Sequence, residues 1–155
     1  MTSPASYRER WIVPPIWWPC ALGLATLVAA ELHSGAPGVR ASLPYAVLLP
    51  LTAVLLAVGS RGSITVADGT LHVPGARIPI ALLADGVALD RESFRVQTGP
   101  MADPRAYVVS RPWLHTAVRL TVADPEDPTP YWVVGTRRPR ELLDAMRTEA
   151  HAGQG

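Results

Sequence analysis

Tyr131-Trp132 runs into Thr136-Arg137-Arg138-Pro139-Arg140, and nowhere else does the chain concentrate so many side chains able to bind something. Pro139 suits the first turn of a helix, so three arginines gather at a helix start, the end that carries partial positive charge and normally selects negative residues. Something negative must offset them. Asp124, Glu126, Asp127 and Glu141 are close enough in sequence to form surface ion pairs. The other source is external: a lipid phosphate or a partner's carboxylate at the helix N-terminus. Arg111-Pro112-Trp113 opens a surface turn, with Trp113 either docked in the core or presented to a partner. The candidate interaction surface is therefore Arg111, Trp113, Asp124, Tyr131, Trp132, Arg137 and Arg138.

Other chemistries find little support, and the expectation is a protein that is not an enzyme and carries no cofactor or metal. The four histidines, His33, His72, His115 and His151, are dispersed, and none has ligand spacing. Gly59, Gly62, Gly69 and Gly75 punctuate turns without the lysine of a phosphate loop. Asp124-Pro125-Glu126-Asp127-Pro128 lacks the central glycine of a calcium loop and reads as a turn. An enzymatic reading would need an unrecognised site around Arg111, His115 and Asp124. Arginine supplies all 14 basic charges against 13 acidic residues, a balance of +1 that argues against nucleic-acid binding. The single Cys20 rules out an intrachain disulfide, and bulky Trp17-Trp18-Pro19 before it is no lipoprotein processing site.

Short alternating runs from Ser63 onward position these residues. Ile64 and Val66 lead to Asp68-Gly69 and return through Leu71 and Val73, a hairpin signal. Pro74-Gly75 makes a second turn before Ile78 and Ile80, and Asp85-Gly86 a third break before Val87 and Leu89. Further strands fit Phe94 to Val96, Tyr107 to Ser110, Thr116 to Val122 and Tyr131 to Gly135. Val118, Leu120 and Val122 share one face, as in a sheet buried on one side. Leu142, Leu143 and Met146 then recur at helical spacing, predicting a closing helix from about Arg138 to Ala150. A meander ending in one amphipathic helix suggests a pleckstrin-homology-like split barrel, with an open antiparallel sheet as the alternative.

Upstream, Trp17 to Ala30 and Leu43 to Val58 carry no charge. Helices over about 16–33 and 43–59 would span roughly 25 Å each, against a hydrocarbon core of about 30 Å, with Trp11, Trp17, Trp18 and Tyr45 as interfacial anchors. Pro19 and Pro44 suit first turns, and Pro50 predicts a kink. Two buried helices of a soluble domain would need more surrounding protein than remains. A cleaved signal peptide, with Arg8 and Arg10 before it and Val28-Ala29-Ala30 at its end, is disfavoured by the second run. Arg8, Arg10, Arg61 and Arg77 flank the pair and only Arg40 lies between, which predicts both termini in the cytoplasm and a short outer turn from His33 to Ser42 with Gly35, Pro37 and Gly38. Glu31 and His33 fall at that outer surface.

Tyr7, Glu9, Arg10, Pro14, Trp17-Trp18, the stretch from Glu31 to Gly38, Arg111-Pro112-Trp113 and the long Asp124 to Pro139 segment together carry a family likeness. On these residues the chain resembles the domain of unknown function 3093, a family known from actinobacteria and described as alanine-rich membrane proteins. A serine would be expected before Thr136, where Gly135 stands. The resemblance covers nearly the whole sequence and implies a two-span membrane protein without an assigned activity.

The combined expectation is an α+β membrane protein. Residues 1–15 form a cytoplasmic N-terminal segment, 16–59 a transmembrane hairpin, 60–150 a small antiparallel β domain closed by a helix, and 151–155 a disordered tail. It sits in the plasma membrane with two spans, the lipid bilayer is a partner, and the cytoplasmic domain engages a membrane or envelope protein. Binding of anionic phospholipid headgroups is the alternative.

Overall fold

The structure is a computed structural model that describes residues 6–34, 38, 42–100 and 102–152. Gly35, Ala36, Pro37 and Arg40 of the expected outer turn, the first five residues and the last three of the expected tail lie outside the described residues. Two compact units emerge, one joining the N-terminal residues through Arg10 to everything from Ser63 onward, the other spanning Trp11–Gly62.

The Trp11–Gly62 unit is a helical hairpin of α1 (Trp17–Ser34) and α2 (Leu43–Gly59). Pro19 falls in the first turn of α1 and Pro44 at the start of α2, where a missing N–H costs little, while α2 continues through Pro50. Trp11 donates its backbone N–H to the Gly62 carbonyl at 2.8 Å, and its ring lies so close that a Cβ on Gly62 would meet it at 3.0 Å. The Ser60 hydroxyl bonds the Leu56 carbonyl at 2.9 Å and accepts the Val13 N–H at 3.3 Å. His33 and Tyr45 meet edge to face, 5.9 Å between centroids.

The expected membrane spans are not found. Among the described residues no helix is long and apolar enough to cross a membrane. The reason lies in length and in the polar last turn: α1 reaches 18 residues only by including Glu31, His33 and Ser34, and α2 stops at 17. At 1.5 Å per residue both fall short of the ~30 Å hydrocarbon core. The transmembrane hairpin, the two-span plasma-membrane placement and the cytoplasmic termini built on it are therefore withdrawn.

The second unit holds two four-stranded sheets. The first has the order β1-β2-β3-β4 from β1 (Tyr7–Arg10), β2 (Ser63–Ala67), β3 (Thr70–Val73) and β4 (Ala76–Pro79), all antiparallel. Asp68 (φ 49°) and Gly69 (φ 66°) make the tight turn that the sequence signals, both in the left-handed region that a two-residue hairpin requires. The register aligns Tyr7, Val66, Leu71 and Ile78 in one buried row across the sheet. Glu9, opposite Ile64, stands on that same core-facing side. The N-terminal segment thus supplies a strand to this unit.

A short 3₁₀ turn, Ile80–Leu82, leads to the second sheet, whose order is β5-β7-β8-β6. It contains β5 (Leu83–Leu89), β6 (Tyr107–Val109), β7 (Ala117–Val122) and β8 (Tyr131–Gly135). Here β6 runs parallel to β8 while the other pairs are antiparallel, so this sheet is mixed and out of chain order. The purely antiparallel, pleckstrin-homology-like meander is not what forms. Asp85-Gly86 lies within β5, paired with Thr121 and Leu120 just after a register shift between Leu83 and Asp85, and the chain does not turn there.

Two helices flank the second sheet. Where a strand is expected at Phe94 to Val96, the chain forms α3 (Arg91–Thr98), because the Asp90 carboxylate accepts the Ser93 N–H at 2.9 Å and caps it. Three apolar-alternating residues are too few to outweigh such a cap. Phe94 packs on a cluster of Leu89, Ala117, Tyr131 and Val133. The closing helix α4 (Pro139–Ala152) buries Leu142 and Met146 and contacts strands of both sheets. It takes in His151 and Ala152 from the expected tail. Gly86 lets it approach closely, since a Cβ there would come within 2.5 Å of Leu143 Cδ2. At its far end the Glu149 carboxylate accepts the Gly69 N–H at 3.1 Å, tying α4 to the β2–β3 turn.

Candidate functional site

The start of α4 is organised by a residue more than a hundred positions away. Glu9, only 4 % exposed, turns its carboxylate onto the segment that leads into the helix. Its Oε1 accepts the Arg137 backbone N–H at 3.0 Å, and its Oε2 accepts the Tyr7 hydroxyl at 2.7 Å and the Thr136 hydroxyl. Thr136 Oγ1 in turn accepts the Arg138 N–H at 3.1 Å, and Thr116 donates its hydroxyl to the Thr136 carbonyl. A buried carboxylate is tolerable only when its lone pairs are so occupied. Burial pushes the Tyr7 phenol well above its ordinary pKa, and the adjoining Glu9 carboxylate adds to the rise. The arrangement is a structural latch between β1 and α4.

Much of the negative charge demanded by this helix start is therefore supplied from within, by Glu9. Glu141 adds an exposed pair with Arg138 at 3.1 Å. Asp124 and Asp127 do something else: Asp124 Oδ1 accepts the Glu126 N–H at 3.0 Å, and Asp127 Oδ1 accepts the Thr129 N–H at 2.8 Å. They shape their own loop, and the Thr129 bond holds the Asp127 carboxyl below its usual range. The backbone donors of Arg137 and Arg138, which an external anion would need, are already used.

Tyr131 and Trp132 are 8 % and 7 % exposed, so neither offers a broad face to a partner. They point to opposite sides of β8, a strand buried at all five positions between β7 and β6. The Arg119 guanidinium lies 4.2 Å over the Tyr131 ring, and the Trp132 ring sits 4.6 Å from that of Tyr107. Of the seven expected surface residues, Arg137 and Arg138 are exposed at the helix start, Arg111, Trp113 and Asp124 are partly exposed on loops, and these two aromatics belong to the core.

The Arg111-Pro112-Trp113 turn is fixed against β8. Leu114 is buried beneath it, and the Leu114 N–H bonds the Arg111 carbonyl at 2.9 Å. Gly135 allows the approach: a Cβ there would stand 2.6 Å from Ser110 Oγ and 3.0 Å from Leu114 Cδ1. A serine at 135 would collide with this turn, which gives Gly135 a physical reason. Beside the turn, α3 contributes Arg91, Arg95 and Phe94 to two adjoining depressions of about 350 Å³ each, walled also by Arg111 and His115. Sequence reasoning missed the two arginines of α3. Asp90-Arg91-Glu92-Ser93, a cap followed by arginines one turn apart, was the available signal.

Among the described residues no group of three or more His, Cys, Asp or Glu could hold a metal. The class defined so far is a two-unit α+β chain with an apolar helical hairpin and a latched β-rich unit. The chain belongs to the family described as protein of unknown function (DUF3093), whose family model matches residues 6–146. No curated protein and no solved structure matches it.

Proposed function

We propose that this protein is a non-enzymatic interaction module whose β-rich unit presents the surface formed by α3 and the Ser110–His115 turn to a protein partner. The observation that carries this reading is the preorganised turn, held by the close contact at Gly135 and by buried Leu114, with exposed Pro112 and His115 displayed beside Phe94. A surface whose shape is set before binding loses little conformational entropy on association, and arginine with aromatic side chains supplies most hot spots. Tyr131 and Trp132, buried in β8, take no part in this surface, which Pro112, His115 and α3 form.

The test is a photo-crosslinking residue placed at His115 of the full-length protein, expressed at native level in its own host. A discrete protein adduct at His115 that is absent from the same probe at exposed Arg140 supports the reading. Phospholipid adducts without protein, or no adduct specific to His115, would overturn it.

A further inference from the structure

Two adjoining depressions on the β-rich unit share Phe94, Thr98 and Leu114 and together make one groove between α3 and the Ser110–His115 turn. Its floor is apolar, with Leu114 3 % exposed and Phe94 partly buried. Its rim carries Arg91 and Arg95 from α3 and Arg111 and His115 from the turn. Among the described residues no carboxylate lines either depression. The nearest acids on α3's own segment are Asp90, whose carboxylate caps the helix, and Glu92, which is exposed and does not line the groove.

Arg91 and Arg95 stand one turn apart on the same helix, where like charges repel, and Arg91 adds a cation to the positively charged helix start. Neither forms an ion pair among the described residues. The chain as a whole carries only +1, so the unpaired guanidinium groups of Arg91 and Arg95 beside one small groove are a local excess. Charge complementarity to this rim demands an anion, and the apolar floor demands an apolar side chain beside it.

We propose that this groove binds an acidic segment of a protein partner, with an apolar side chain seated on Phe94 and Leu114 and carboxylates reaching Arg91 and Arg95. This rests on the interaction-module reading and specifies the chemistry of its partner. A bare polyanion would satisfy the rim and leave the floor unused. A purely apolar segment would leave Arg91 and Arg95 uncompensated.

The experiment titrates the full-length protein against a fluorescent peptide that alternates glutamate and leucine, read by anisotropy, with a glutamine–leucine peptide of the same length as reference. The Arg91→Gln/Arg95→Gln pair changes exposed side chains and leaves the core intact, and thermal unfolding of the variant verifies this. The expected result is a loss of affinity of about tenfold or more in that variant and for the glutamine peptide. An Arg77→Gln/Arg140→Gln variant, equal in charge removed but outside the groove, should lose less than about twofold. Equal losses in the two variants, equal binding of the glutamine peptide, or tighter binding of a single-stranded oligonucleotide or of vesicles containing anionic phospholipid would overturn the proposal. Absence of peptide binding would overturn it too, while a His115 protein adduct would keep the interaction-module reading standing.

Discussion

In α1 only Ala25 and Ala29 are buried, and in α2 no residue is, whereas every residue of β8 is. Leu24, Leu27, Leu43, Val47 and Leu55 of the hairpin are each more than half exposed. In the β-rich unit, Ile64, Val66, Leu71, Leu120 and Leu142 are almost wholly buried. Apolar composition is similar in these segments, so composition does not decide burial; the number of packed partners does. A hairpin offers each helix one neighbour. A strand within a sheet flanked by helices has neighbours on every side.

Polar groups follow the same division. Thr26 and Ser34 of α1 bond back to the Leu22 and Ala30 carbonyls of their own helix. In the β-rich unit Glu9, Tyr7 and Thr136 join segments distant in sequence. One region satisfies its hydrogen bonds locally and the other uses them to lock its topology. Matched substitutions in the two units should therefore differ in their cost.

The largest effect should come from the two carboxylates. Glu9→Ala removes the shared acceptor of the buried Tyr7 and Thr136 hydroxyls and of the part-buried Arg137 N–H and should cost about 3–5 kcal/mol in denaturant unfolding. Glu31→Ala, on exposed α1, should leave the midpoint unchanged. Truncation of leucines comes next: Leu142→Ala, at a position 0 % exposed, should cost about 2–5 kcal/mol, and Leu27→Ala, at a position 67 % exposed, should barely register in the same measurement.

Glycines should respond with opposite signs. Gly135→Ala forces a Cβ against Ser110 and Leu114 and should lower stability by about 1–3 kcal/mol. Gly23→Ala has open space inside a helix and should raise it by about 0.5–1 kcal/mol. The smallest effect is alkaline. Because the Tyr7 pKa is raised on folding, its contribution is fully present below the ordinary tyrosine value of about 10 and is lost as pH rises above it. Stability should fall from pH 10 upward by at most about 1.4 kcal/mol per pH unit from this group. Tyr7→Phe should flatten that slope, as unfolding midpoints across pH 9.5 to about 11 would reveal.

Local rules were legible. Asp68-Gly69 announces its hairpin because both positions need positive φ, and Leu142, Leu143 and Met146 announce α4 because helical spacing carries them to one face. The α3 segment misled because Phe94 and Val96 alternate over too short a stretch to outweigh the Asp90 cap. The two apolar runs were readable as helices, while their ends, set by polar last turns and loops, were not. At the site, the Arg111 turn was visible from its residue types. Burial of Tyr131 and Trp132 was not, since it arises from β8 lying between β7 and an out-of-order parallel β6. The Glu9 latch was equally hidden, because its bonds to Thr136 and Arg137 span 127 and 128 positions.

If the β-rich unit meets a partner through its pinned turn and α3, as proposed, a probe on that turn should capture it. The most direct test places the same photo-crosslinking residue in turn at His115, Arg138 and Leu27 of the full-length protein in its host. The prediction is a discrete protein adduct at His115 that neither Arg138 nor Leu27 yields. The same protein captured from Arg138 or Leu27, with nothing at His115, would contradict the account.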